Sequence, residues 1–221
     1  LSTDDARGPV GFYGKLPGVG DFVERRLPAV FIDAWDMAMR GVLAARSAAD
    51  GGGPGHTPLE AVWRFALAPG VCGRQAWMGS VAPGRDRVGR AFPLVLAAAF
   101  ETPAHTWFDA AEALHVNVLS GGIGDVSTFD RACMALAPDA RTDALLEAWS
   151  SRWPAQSRGL WWKPPAAHRP GVWLPMPGLP DAGHAPLLRI GYTPELQAPG
   201  RPASEEHAPG SRRGTDEGRG G

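Results

Sequence analysis

Apolar positions along the chain change period several times. From Phe31 they recur at helical spacing through Trp35, Ala38, Val42 and Ala45, and Ile32, Met39 and Leu43 widen the stripe. A stripe that broad predicts a largely buried helix. Pro28 fits its first turn, where a missing N–H costs least, and Gly51-Gly52-Gly53-Pro54-Gly55 ends it in a loop. The period then shortens. Val62–Leu67 alternates around Arg64, Ala76–Val81 carries Trp77, and Phe92–Phe100 is almost wholly apolar. Turn residues separate them, Pro69-Gly70 with Gly73 and then Pro83-Gly84. This predicts an antiparallel meander whose third strand is buried on both faces.

Helical spacing returns over His105–Leu119, with Trp107, Ala111, Leu114 and Val118 on one side. After Gly121-Gly122-Ile123-Gly124, Asp125 or Ser127 can cap a helix that runs through Leu136, and Thr142–Trp149 reads as another. Val10–Tyr13 reads as a short opening strand, ended by the turn-rich run from Gly14 to Asp21. Beyond Trp153, prolines at 154, 164, 165, 170, 175, 177, 180 and 186 forbid long helices. They leave room for short strands at Gly159–Lys163 and Gly171–Leu174, on a sheet edge where proline is tolerated. From about Pro199 large apolar residues vanish, so nothing repays the entropy of ordering the chain. The pattern predicts one α/β domain over residues 10–195 and a disordered tail over 196–221, with no internal repeat.

Composition narrows the function classes. Of 221 residues, 44% are apolar and 20% charged, as in a soluble globular domain. A formal net charge of −1 supplies no field to recruit nucleic acid or an anionic membrane. No window approaches the ~18 consecutive apolar residues of a membrane span, so no direct membrane insertion is expected. The polar, acidic opening Leu1-Ser2-Thr3-Asp4-Asp5 lacks a signal-peptide pattern, and Leu1 in place of Met reads as a truncated or misassigned start. The two cysteines, Cys72 and Cys133, suit a reducing compartment, which makes the cytoplasm the expected location. The 29 glycines and 22 prolines imply many turns. Nine tryptophans imply large rings that fill a core and find partners there for their N–H groups.

Motif by motif, the chemistry of catalysis fails to assemble. Gly14-Lys15-Leu16-Pro17-Gly18-Val19-Gly20 precedes a helix, but a phosphate loop needs its lysine beside a Ser or Thr at the helix start. Here Lys15 comes before the later glycines, and the aspartate that follows them would repel phosphate. Gly121-Gly122-Ile123-Gly124 lacks the dinucleotide spacing and follows a helix rather than a strand. Both runs read better as tight turns. No two of the six histidines stand at the i, i+4 spacing of a helical zinc pair. Gly79-Ser80-Val81 is not a nucleophile elbow. A cysteine–histidine pair built on Cys72 or Cys133 is the remaining enzymatic reading, since such pairs meet only in the fold. No catalytic residue, cofactor or metal is assigned.

The run Arg85-Asp86-Arg87-Val88-Gly89-Arg90 stands immediately before the apolar third strand of the meander. Arginines there pair with nearby carboxylates, such as Asp21 or Asp86, and pin one loop to another, or else they dock an acidic or phosphorylated partner. Charged residues in glycine-rich loops are often exposed, which makes Lys15, Asp21, Arg25, Asp86, Arg87 and Arg90 the candidate partner-contact residues.

The order of these motifs carries a resemblance. Gly11-Phe12-Tyr13-Gly14-Lys15-Leu16-Pro17, Gly20-Asp21-Phe22-Val23 and Arg26-Leu27-Pro28 open the chain, and Phe31 to Trp35 follow on the first helix. Next come Trp63-Arg64-Phe65-Ala66-Leu67, Pro69-Gly70-Val71-Cys72-Gly73, Trp77, Asp86-Arg87-Val88-Gly89-Arg90 and Phe92-Pro93-Leu94. Trp161-Trp162 and Gly178-Leu179-Pro180 close the series, which spans about residues 10 to 180. In this order they resemble TagF (ImpM) proteins, the accessory proteins of bacterial type VI secretion. Gly84-Arg85 departs from the family, where a small hydroxyl residue is common before the Asp-Arg-Val-Gly-Arg run, and Ala91 often corresponds to an aromatic.

The resemblance implies a single α/β domain with a mixed, largely antiparallel central sheet flanked by helices on both faces, a three-layer sandwich. It implies a non-enzymatic, post-translational regulator, generally a repressor, of type VI assembly. Its partner would be the system's scaffold protein bearing a forkhead-associated domain. The alternative role is a structural accessory component of the secretion baseplate or envelope complex.

Overall fold

Period-two alternation along the strands places two cores on opposite sides of one sheet. The computed structural model describes residues 9–49, 61–100, 105–136, 156–165 and 171–190. Its strands are β1 (Gly11–Lys15), β2 (Phe22–Arg25), β3 (Trp63–Leu67), β4 (Trp77–Ala82), β5 (Leu94–Ala99), β6 (Gly159–Lys163) and β7 (Val172–Met176). They form a seven-stranded sheet in the order β2-β1-β5-β4-β3-β6-β7, antiparallel at every pairing. The helices are α1 (Ala29–Ala49), α2 (His105–Leu119), α3 (Val126–Ala135) and α4 (Ala185–Ile190), the last entered through a 3₁₀ turn at Ala182–His184.

On β3, Trp63, Phe65 and Leu67 join the core under α1, whereas Ala66 joins the core under α2 and α3. β5 repeats the division, with Val95, Ala97 and Ala99 on the α1 side and Leu94, Leu96 and Ala98 on the other. Both faces of β5 are buried, as its continuous apolar run predicts. Phe31, Trp35, Met39 and Val42 of α1 fill the first core together with Ala185 and Leu188 of α4. Trp107, Phe108, Ala111, Leu114 and Val118 of α2 and Phe129 and Cys133 of α3 fill the second. The expected three layers are therefore present, helices on each face of the sheet.

The described tryptophans are core residues, with a qualification. Trp35, Trp63, Trp77, Trp107, Trp161 and Trp162 are buried, and Trp173 is exposed on β7, stacked on Trp162 at 5.4 Å between centroids. Trp63 donates its indole N–H to the Leu188 carbonyl at 3.1 Å, and Trp77 donates to that of Cys72 at 3.0 Å. Trp35, Trp107, Trp161 and Trp162 bury theirs with no acceptor among the described residues. The expectation that these N–H groups find partners fails for those four. Burying one such ring is worth about 4–6 kcal/mol, against about 1–3 kcal/mol for an unmet donor. Ring burial wins.

Two elements escaped the sequence. β2 is only four residues long, and its register is dictated by β1, where Lys15 faces Phe22 and Phe12 faces Arg25. α4 carries Pro186 in its first turn, where proline is tolerated, so the proline-rich segment allows one short helix. β7 accepts Pro175 because it lies at the sheet edge. The helix expected over 142–149, the glycine loop at 51–55 and the tail over 196–221 lie outside the described residues.

Candidate functional site

Three loops meet at one end of the sheet: the β1–β2 turn, the β4–β5 connection and the α2–α3 connection. Asp86 is their hub. Its Oδ2 accepts from Lys15 Nζ at 2.7 Å and from Arg90 Nε at 2.6 Å, and its Oδ1 accepts from the backbone N–H of Val88 at 3.1 Å and of Arg90 at 2.8 Å. Burial alone would raise the Asp86 pKa, but the hydrogen bonds from Lys15 and from the Arg90 backbone and side chain outweigh it. They hold the carboxyl well below the usual carboxylate range.

The hub ties the loops to one another. Arg90 also donates through Nη2 to the Gly20 carbonyl at 2.5 Å, and the Arg87 N–H donates to the Val19 carbonyl at 2.8 Å. The β1–β2 turn packs on the α2–α3 connection with no side chain between them. A Cβ on Gly18 would lie 1.9 Å from the Gly124 carbonyl oxygen. The two glycine runs that raise a phosphate reading thus serve to let two backbones touch. Gly84 has no room for a side chain either, because a Cβ there would lie 2.2 Å from the Phe92 carbonyl oxygen. Asp125 closes the cluster as the N-cap of α3. Bonds from the Ser127 hydroxyl and the Thr128 N–H lower its pKa to about 2.

The six candidate residues separate by role. Lys15 and Asp86 are buried and bonded to each other, so the exposure assumed for charges in glycine-rich loops does not hold for them. Arg90 is exposed but engaged with Asp86 and Gly20. Asp21 is exposed and, among the described residues, accepts only from its neighbour's N–H, that of Phe22. It therefore takes no part in the pairing with arginine that Asp86 provides. Arg25 sits opposite Phe12, at the far end of the β1–β2 ladder, about 10 Å along the strand from the cluster. Arg87 is exposed, its guanidinium lies beside Gly20 of the β1–β2 turn, and it bonds to no described residue.

Other buried polar groups went unread. Arg64, inside β3, pairs with Asp109 at 2.7 Å and Glu112 at 2.5 Å on α2. A charge in the middle of an apolar strand was the available signal, since such a group must be paired. His115 is fully buried, its Nε2 3.2 Å from the Ser80 carbonyl oxygen, and burial pushes its pKa down to about 4. Arg26 adopts φ 58°, donates through Nε to the Val10 carbonyl at 2.8 Å and pairs with Asp130 on α3 at 2.5 Å. The thiols of Cys72 and Cys133 are both buried, and burial pushes each up to about 12. Neither is a thiolate near neutral pH, the form that a cysteine nucleophile requires. Among the described residues no group of three or more His, Cys, Asp or Glu side chains is placed to hold a metal, and no helix is long and apolar enough to cross a membrane.

Comparison with known proteins agrees with the motif order. Residues 11–136, more than half of the chain, match the family described as TagF N-terminal domain, type VI secretion system-associated. Of the landmarks quoted above, Trp161-Trp162 and Gly178-Leu179-Pro180 fall beyond that match. No curated protein matches the chain. The crystal structure of PA0076 from Pseudomonas aeruginosa PAO1 is similar to it with a TM-score of 0.66 and 28% sequence identity, over 87% of this chain and 100% of that one. This chain belongs to the TagF family of type VI secretion-associated proteins.

Proposed function

We propose that this chain is a non-enzymatic, cytoplasmic repressor of type VI secretion, which holds back assembly by binding the system's scaffold protein with a forkhead-associated domain. Membership of a type VI secretion-associated family is the observation that carries this reading. The chemistry of the loop cluster is consistent with it. Lys15, Asp86, Arg90 and Asp125 spend their bonding capacity inside the chain, and the two buried thiols are protonated. A surface held that rigidly is suited to recognition, because little freedom is lost when a partner docks. Repression then requires only that the scaffold bind this chain more tightly than it binds the competing assembly partners.

Titration calorimetry of the chain against the forkhead-associated scaffold of the same genome tests the reading. Saturable binding with Kd in the micromolar range or tighter, about −8 kcal/mol, is expected. A bacterium that overproduces the chain should also release less type VI tube protein into the medium. No heat at several temperatures together with a failed pull-down would overturn scaffold binding. Stoichiometric sedimentation with the assembled machine would instead make the chain a component of it.

A further inference from the structure

Within the Asp-Arg-Val-Gly-Arg run, two neighbouring residues face solvent with their side chains uncommitted. Arg87 is exposed with its guanidinium bonded to no described residue, and Val88 is 67% exposed, one of the most exposed large apolar side chains among the described residues. Their backbone is held on every side. Asp86 accepts from the Val88 and Arg90 N–H groups, the Arg87 N–H is bonded to Val19, and Gly89 donates to the Asp86 carbonyl at 2.9 Å. A loop built this way presents one cation and one apolar side chain at a fixed spacing.

The charge around the tip selects the occupant. Asp86, the acid within the run, is buried and shared between Lys15 and Arg90, so its charge is spent on those two cations and not on Arg87. Asp21 is exposed nearby but makes no ion pair with Arg87. The two flanking arginines are engaged, Arg85 with the Gly89 carbonyl at 3.3 Å and Arg90 with Asp86 and Gly20. One uncommitted guanidinium fork matches one carboxylate through two parallel hydrogen bonds. A phosphate dianion calls for several convergent donors, and a nucleic acid for a run of cations along its backbone. We propose that the Arg87–Val88 tip docks an acidic protein segment, with a carboxylate on Arg87 and an adjacent apolar side chain against Val88. The proposal rests on the regulator reading above and places the acidic segment on the scaffold.

Titration of the full chain against the forkhead-associated scaffold tests it, using Arg87→Glu, Val88→Asp and, as control, Arg74→Glu. Arg74 lies in the β3–β4 turn, at the opposite end of the sheet, and carries the same change of charge. The Arg87 side chain bonds to no described residue, and Val88 and Arg74 are exposed, so thermal melts should leave all three variants folded. Arg87→Glu is expected to weaken binding about 30-fold or more, and Val88→Asp about tenfold. Arg74→Glu should stay within about threefold of the wild type. Raising salt from about 0.05 M to about 0.3 M should weaken the wild type and leave the residual affinity of Arg87→Glu almost unchanged. If the wild type binds and Arg87→Glu binds as tightly, the tip is not the docking element and the regulator reading stands. If the wild type fails to bind, scaffold recognition and the tip's role in it fall together.

Discussion

Asp86 shows how a carboxylate can make a loop rigid rather than reactive. Asp86→Asn would keep the shape and remove the charge that neutralises buried Lys15, whose counter-ion it is at 2.7 Å. It should lower the urea midpoint far more than Asp21→Asn, whose carboxylate meets only the Phe22 N–H; equal midpoints would mean the hub contributes nothing. Because the Asp86 pKa is depressed in the folded chain, its stabilisation is present above the ordinary carboxylate value of about 3.9 and is lost as pH falls further. His115 acts in a higher window. Its pKa falls from 6.5 to about 4 on folding, so the unfolded chain binds the proton first as pH drops. Stability should decline by about 3 kcal/mol between about pH 6.5 and pH 4. His115→Leu should flatten that limb of a pH series of urea melts, and an unchanged slope would assign it elsewhere. Pinning by an arginine and a carboxylate was legible in the sequence, but the partnership with Lys15 was not. Those two residues lie 71 positions apart and meet only because β1 pairs with β5.

At the scale of elements, strongly periodic segments declared themselves and short ones did not. α2 runs over His105–Leu119 as its apolar spacing predicts, and Asp125 caps α3. β2 has no period long enough to read, and the hairpin partner that orders it supplies the missing information. The first core is organised around Trp35 of α1, which stacks on Phe31 at 5.7 Å and on Trp161 of β6 at 5.8 Å, and leans on Phe65 at 5.1 Å. Trp35→Ala should cost about 3–5 kcal/mol in urea unfolding. A loss below about 1 kcal/mol would mean that the layer collapses around the gap. Tyr13 adds a polar tie between sheet and helix, donating to Asp36 at 2.8 Å, and burial with that bond raises its pKa.

Among the described residues each of the two cores holds a thiol, Cys72 under α1 and Cys133 on the inner face of α3. Both should resist a thiol reagent at pH 8 in the folded protein and react rapidly in denaturant. If one labels much faster than the other under native conditions, its layer opens without the sheet coming apart. Family and sheet architecture could be read from the order of motifs, because aromatic landmarks and turns recur together. Which loop charges face outward could not, since that depends on how three connections distant in sequence close on Asp86.

Sheet order also sets a timetable. β3, β4 and β5 adjoin in sequence and in space, but β1 finds its place only against β5, with Gly11 opposite Ala97. A chain emerging from the ribosome therefore carries its first hairpin, which ends at Arg25, without a bed to lie on until the chain has reached Ala99 and completed β5. The opening segment, where the longest run of family landmarks begins, has to wait in company before it can dock. Pulse-labelled hydrogen exchange during refolding should show the amides of β3–β5 protected before those of β1, and the reverse order would give the nucleus to the hairpin instead.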